Sequence, residues 1–580
     1  MKKSKIFRIL CVLLATVMSL SVSACQKGTE KKGTSSTSAA VSTKKFLGET
    51  AAFGKFKNPV TVHVAQEVDP TDKTLVSGDT PSNNYFTRLL KNKYNINVIV
   101  DWSAANGDNY NQKVSLAIAS GKMPDGMVVW NRLYFTQAAN ANLLGDITDE
   151  FKEYASTQVQ QMMASTQGKA MENATYNGKM VALPNISVVA DGISVMWIQK
   201  NWLDQLKMPV PKTLDEIEKT AKAFVDNKMA GANTIGIAGP SKSMRLNGTF
   251  QGSTNNGGTF EPVFCAMDAY PGFWLNENGK AVYGTTTDNT KKTLQLLAKW
   301  YKEGIIDPQM GTRDQVTDPL KANQCGIFFG PWWQCGYGNV DSFTNNPKVD
   351  WEAYPVYTDD EKWNVRMPAV SAGYTLVGKN ATSDAKKAIV IMNNILVRDE
   401  NVFNDTSKGG TTESGATWFP LRNVMSAQDE CEHSYKEILK VLKGQAQPSD
   451  YSDPKNVYKL LYQDAKQAKS IISPPYDNIT AKNFKHTTSN DTEFQRLYSL
   501  MIGDRPFATV PVSKKVSSIT YGQTKTMTTK WANLQKLEDE ATMKIVLGKA
   551  PIDSFDEFVK NWNSQGGTEI TAEVQQLIKK

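Results

Sequence analysis

At 580 residues, with 40% hydrophobic and 9% aromatic side chains, the chain exceeds one compact core and carries enough apolar surface for two folded lobes. The net charge of +8 is modest, and Lys2, Lys3, Lys5 and Arg8 sit together at the N-terminus. The remaining charge is spread thinly, which argues against nucleic-acid binding, a function that needs a concentrated basic face.

Met1 to Cys25 reads as a targeting segment: a basic start, an uncharged apolar run from Ile9 to Val22, then small residues before a cysteine. Residues 25–56 read as a flexible linker, rich in Ser, Thr, Gly and Lys with little to bury. Cys265, Cys325, Cys335 and Cys431 follow, and the sequence leaves disulfides and buried free thiols equally open. Their spacing suggests no zinc site.

Val60 to Ala65 reads as the first strand, with Gln66 and Glu67 at its C-terminal end, where open α/β sheets place ligand contacts. A helix over Asn83–Lys93, a strand from Ile96, a helix over Asn109–Ser120 and a strand over Met127–Trp130 then alternate as parallel βαβ units do. Trp130, Asn131 and Arg132 fall just past that strand. Asn177-Gly178 is a tight turn, and extended runs follow at Met180–Leu183 and Gly192–Ile198. Thr213 and Glu216 make a capping box for a helix with an apolar stripe of Leu214, Ile217, Ala221 and Phe224.

The loop Asp226–Ala232 has one carboxylate and a lysine, too few oxygen ligands for calcium, so no metal is expected there. Phe260 opens an aromatic-rich stretch that runs to Trp274. At Gly326–Trp333 (GIFFGPWW) an apolar strand ends at Gly330-Pro331 and two tryptophans follow. An indole can cover the C–H-rich face of a pyranose without stranding a polar group. Trp418 lies in a Gly/Thr/Ser-rich loop, a candidate lid. Three histidines, and no GxSxG, HExxH, P-loop or EF-hand pattern, leave no enzyme signature.

Several of these stretches together resemble the bacterial extracellular solute-binding proteins, the family of maltose-binding protein, in their large lipoprotein form. They are Ala119-Ser120-Gly121 with Pro124-Asp125, Tyr176-Asn177-Gly178-Lys179, the Thr213–Glu216 box, Ile306-Asp307-Pro308, Gly330-Pro331-Trp332, Ser371-Ala372-Gly373, and the tail from Lys544 to Lys580. Asn201-Trp202 and Asn131-Arg132 depart from the usual acidic residues at those places.

The resemblance implies an α/β, two-lobed, periplasmic-binding-protein type II-like fold. Discontinuous lobes are joined by a hinge, and extra C-terminal helices follow. It places lobe 1 at 57–192 plus about 366–400, lobe 2 at 193–356 plus about 401–505, and a helical region at 506–580 packing on the lobes. Residues 1–24 become a lipoprotein signal peptide and Cys25 the lipidated residue; an ordinary secretory signal is the alternative.

The implied function is capture of an oligosaccharide between the lobes and delivery to the permease subunits of an ABC importer. The protein would be a monomer anchored on the outer face of a Gram-positive-type cell membrane. It would have no catalytic role, cofactor, metal or nucleic-acid partner. Stacking would come from Trp332, flanked by Trp333, and from Trp130 and Phe260, with Trp418 as a wall. Hydrogen bonds would come from Gln66, Glu67, Asn131, Arg132 and Asn185. A peptide or other solute as ligand, or a surface glycan-active enzyme, remain the other readings.

Overall fold

Two sheets, of five and four strands, carry the fold. In chain order their strands are β1 (Val60–Val68), β2 (Ile96–Ala105), β3 (Gly126–Val129), β4 (Ala182–Pro184), β5 (Val195–Gln199), β6 (Ile235–Ile237), β7 (Cys325–Gly330), β8 (Trp351–Tyr354) and β9 (Tyr374–Val377). The computed structural model describes residues 44–68, 75–242, 245–247, 258–338, 341–346, 348–403, 417–485 and 492–578. The expected signal peptide and lipidation site Cys25 lie outside these residues.

The first sheet runs β2-β1-β3-β9-β4, with β1 parallel to both β2 and β3 and with β9 antiparallel to β3 and β4. The second runs β8-β5-β7-β6. Strands β3 to β9 are almost wholly buried on both faces, whereas β2, at the edge of the first sheet, alternates half-buried with exposed residues; the period-2 alternation shows which residue serves which face. In β5, Met196 and Ile198 enter one core cluster while Val195 and Trp197 enter another. In β3, Val128 faces one cluster of the first lobe and Met127 and Val129 the other.

The chain passes between the sheets three times. It leaves β4 at Pro184 and joins the second sheet at Val195; it returns to β9 through residues 367–373; and it crosses again after Val424. These segments are laced together. Asn185 N–H donates to the Gly373 carbonyl (2.8 Å), and its side-chain amide donates to the Val424 carbonyl (2.7 Å). Ser426 N–H donates to Ile186 O and Val189 N–H to Gln428 O, both at 2.9 Å. A Cβ at Gly192 would stand 2.2 Å from the Pro368 ring, so only glycine lets these two crossings touch.

Two expected boundaries shift. Residues 44–56, read as linker, dock on the first lobe through a short helix (Glu49–Ala52). Ala52 is fully buried, Phe56 joins the core, and the Arg398 guanidinium lies 4.1 Å from the Phe53 ring centroid. Phe403 and Trp418 to Met425, expected in lobe 2, pack instead in the core of the first lobe. The C-terminal helices Met527–Val546, Ser554–Trp562 and Thr568–Ile578 extend the second lobe's core through Trp531, Phe558, Trp562 and Val574.

They are held there by a buried ion pair. Arg245 reaches Glu538 at 2.7 Å and Asp539 at 2.5 Å, and the Tyr283 hydroxyl donates to Glu538 at 2.7 Å. The capping box at Thr213 is present, with Glu216 accepting the Thr213 N–H (3.2 Å), and all four stripe residues of its helix are buried. Cys265, Cys325, Cys335 and Cys431 are buried free thiols. Burial pushes the Cys265, Cys325 and Cys431 thiols well above their ordinary range.

Candidate functional site

Parallel β1 and β3 end side by side, and their C-terminal ends hold Gln66, Glu67 and Trp130 around a cavity of about 310 Å³. Trp130 is 41% exposed, unusual for so large an apolar ring. Its indole N–H donates to Glu67 Oε2 at 2.8 Å, and Glu67 Oε1 accepts the Gly107 N–H at 3.3 Å. The other edge of the ring lies against the return crossing. A Cβ at Gly373 would come within 2.6 Å of it, so glycine there sets the ring's position. The indole is thus fixed at its N–H and along one edge while much of its surface stays open.

Gln66 lines the same cavity. It is only 5% exposed, and neither its amide nitrogen nor its amide oxygen has a partner. Leaving such a group unsatisfied costs about 1–3 kcal/mol. Arg422, from the stretch leading to the third crossing, closes the cavity. Burial holds its pKa below the ordinary value, against the opposing pull of the Glu400 and Glu67 carboxylates.

Asn131 and Arg132 begin the helix Arg132–Asn140. The Asn131 side chain is its cap, accepting the Leu133 N–H at 2.8 Å. Arg132 turns away from Trp130. Its guanidinium donates to the Asn173 carbonyl (3.0 Å) and the Tyr374 hydroxyl (2.8 Å), at the edge of a second cavity of about 910 Å³. Asn185 is 7% exposed and lends its amide to the lacing of the crossings.

The remaining aromatics are placed differently from expectation. Phe260 is fully buried, with its ring 6.3 Å from Phe329 in the second lobe's core, so it offers no face to a ligand. Trp418 is 4% exposed and belongs to the first lobe's core; it is a structural anchor, and the neighbouring Phe419 and Leu421 reach the small cavity instead. Trp332 is 6% exposed, and its indole N–H donates to Asp191 Oδ1 of the first crossing at 2.9 Å. Trp333 is half-buried beside the same cluster.

Burial lifts the Asp191 carboxyl to about 6. The Trp332 N–H opposes that shift, the Glu430 carboxylate adds to it, and Arg496 opposes it. Gln66, Glu67 and Trp130 are therefore gathered in one place, Arg132 at a second, and Trp332 and Trp333 at a third.

The family profile described as bacterial extracellular solute-binding protein matches residues 88–412, more than half of the chain. The chain belongs to that family. Lipoprotein LipO of Bacillus subtilis (strain 168) is 22% identical to this solute-binding protein over 520 residues, covering 87% of this chain and 91% of LipO. The polygalacturonan/rhamnogalacturonan-binding protein YtcQ of the same organism is 21% identical over 483 residues, covering 80% and 83%. Among solved structures, an HMO binding ABC-transporter associated solute-binding protein from Bifidobacterium longum infantis superposes with a TM-score of 0.58. It is 17% identical and covers 90% of this chain and 99% of its own. At that identity the likeness is one of fold: two lobes of mixed α/β structure.

In the loop after the helix Leu214–Asp226, the single carboxylate, Asp226, pairs with Lys222 at 3.1 Å. Among the described residues, no cluster of three or more His, Cys, Asp or Glu side chains could hold a metal ion. Sequence reading missed Arg422 and, apart from Arg132, the walls of the larger cavity. These walls include the crossing residues Met367–Ser371 and a polar stretch, Ser517–Gly522, with no motif of its own.

Proposed function

We propose that this protein captures an oligosaccharide between its lobes and hands it to the permease subunits of an ABC importer. In this reading it acts as a monomer, anchored on the outer face of the membrane through lipidated Cys25, and it releases the sugar chemically unchanged. The observation that carries the carbohydrate reading is the buried, unpartnered Gln66 amide beside the open face of Trp130. A pyranose supplies what both lack. Its hydroxyls offer one donor and one acceptor to the carboxamide, and its C–H face covers the indole. The names of YtcQ and of the Bifidobacterium protein, both binders of sugar chains, support the same class.

The binding event closes the lobes by differential affinity. A ligand held by both lobes favours the state that brings them together, and the three laced crossings are the segments about which the lobes turn. Titration of the soluble protein against neutral and acidic oligosaccharides, read by tryptophan fluorescence and melting temperature together, tests the reading. A saturating response with a raised melting point is expected, because a ligand specific for the folded state stabilises it. Trp130→Ala should weaken that response by about 1–3 kcal/mol, the scale of losing an aromatic anchor. Silence across the panel, with peptides giving the response, would replace the sugar with another solute. Consumption of the sugar would make the protein an enzyme.

A further inference from the structure

The larger cavity shares no lining residue with the Trp130 cavity, yet only Asn131 separates the residues that border them along the chain. Trp130 borders one and Arg132 the other, and two residues of chain reach at most about 7 Å. One wall of the large cavity is a strap that lies outside the stretch matched by the family profile. Its strand Lys514–Val516 pairs in parallel with Asn364–Arg366. The Tyr521 hydroxyl donates to the Met367 carbonyl at 2.7 Å, and the Ile519 N–H donates to the Trp274 carbonyl at 2.8 Å. From these anchors on the second lobe the strap reaches the first: a Cβ at Gly522 would stand 3.1 Å from Arg132 Cδ.

The lining states what would fill this space. Arg132, Lys169 and Lys515 are matched by Glu172, Asp429 and Glu432, so the walls carry no net charge to attract a polyanion. Ser371, 4% exposed, lines the cavity with a hydroxyl that has no partner. A volume of about 910 Å³ lies at the upper end of the range that encloses drug-sized ligands.

We infer that the strap-walled cavity is a second chamber of the binding site, taking the continuation of a neutral, hydroxyl-rich chain whose one end rests on Trp130. The strap thereby selects longer oligomers over short ones. This inference rests on the carbohydrate reading above. It is tested by titrating the full soluble protein with a neutral oligosaccharide series, from disaccharide to hexasaccharide, and with an oligogalacturonate series of equal lengths.

Affinity should rise with length in the neutral series. Thr520→Trp, which fills the chamber, should cost the hexasaccharide about tenfold or more and leave the disaccharide unchanged. Should Thr520→Trp lose its cooperative melt, Ser371→Ala takes its place, with a loss of a few-fold confined to the long oligomers. Equal affinities of wild type and chamber variants at every length, with Trp130→Ala still weakening binding, would overturn the chamber and leave the carbohydrate reading intact. Preference for the galacturonate series would overturn the neutral class. No response to either series would overturn both readings.

Discussion

Asp191 sits in the first crossing, in the short 3-10 turn Val189–Gly192, where its carboxylate accepts the Trp332 indole N–H. Burial lifts it from 3.8 to about 6 despite that hydrogen bond. The folded protein therefore binds a proton more readily than the unfolded chain between those two values. Stability contributed by the protonated form is lost as pH rises through this window, and the whole loss is present above about pH 6.

The size of the shift corresponds to about 3 kcal/mol at neutral pH. Asp191→Asn removes the titrating charge and keeps an oxygen for the indole N–H, though a weaker acceptor. That hydrogen bond is already contained in the shift, so a variant that matches the wild type at the acid end should gain about 2–3 kcal/mol at neutral pH. Urea midpoints of both proteins, measured at about pH 4 and about pH 7, are the assay. The variant should match the wild type at the acid end and exceed it at the neutral end. The other lifted carboxyls of this region, Glu430, Glu432 and Asp504, are common to both proteins, so they do not set the difference to first order. A difference that is the same at both pH values would refute the assignment of a lifted carboxyl to Asp191.

Three further outcomes follow from the same geometry. Trp332→Ala should cost about 3–5 kcal/mol of stability, the range for truncating a buried aromatic, and melting measurements on the unliganded protein will read it. An unchanged melt with weakened sugar binding would instead make Trp332 a ligand contact. Gly373→Ala should displace the Trp130 ring, because its Cβ would fall 2.6 Å from it. Ligand affinity should drop about as far as in Trp130→Ala, by about 1–3 kcal/mol, while the core stays intact. Arg245→Met strands the buried Glu538 carboxylate and should destabilise the second lobe by about 3–5 kcal/mol, seen as an earlier urea transition. Double replacement with Glu538→Leu should recover much of that loss, since the desolvation cost of the pair disappears with it.

The parts of the fold legible in the sequence are those written in short-range patterns. The strand alternation, the Thr213–Glu216 box, its buried stripe, and the polar residues just past β1 and β3 each depend on neighbours within about one or two turns or strands. What was not legible depends on partners far along the chain. Phe53 and Phe56 sit in a stretch whose composition reads as linker, and only Arg398 and the first lobe's core give them a place. The third crossing and the strap carry no periodicity. The crossing is fixed by Asn185 bonding Val424, 239 residues away, and the strap by Tyr521 bonding Met367, 154 residues away.

The two tryptophans past strand ends show the limit most directly. Trp130 and Trp332 share the same local signal, and the structure leaves one open and buries the other. At Trp130, Gly373 comes up against one edge of the ring and stops there, while Glu67 takes its N–H. At Trp332, the backbone is closed over by Gly503, where any Cβ would stand 1.8 Å from the Trp332 carbonyl oxygen, and Asp191 takes the N–H from below. Nothing within ten residues of either tryptophan distinguishes these outcomes. The choice between ligand platform and core anchor is made by segments that arrive from elsewhere in the chain, so exposure of the ring, and not its place after a strand, is the property that selects Trp130 for mutation first.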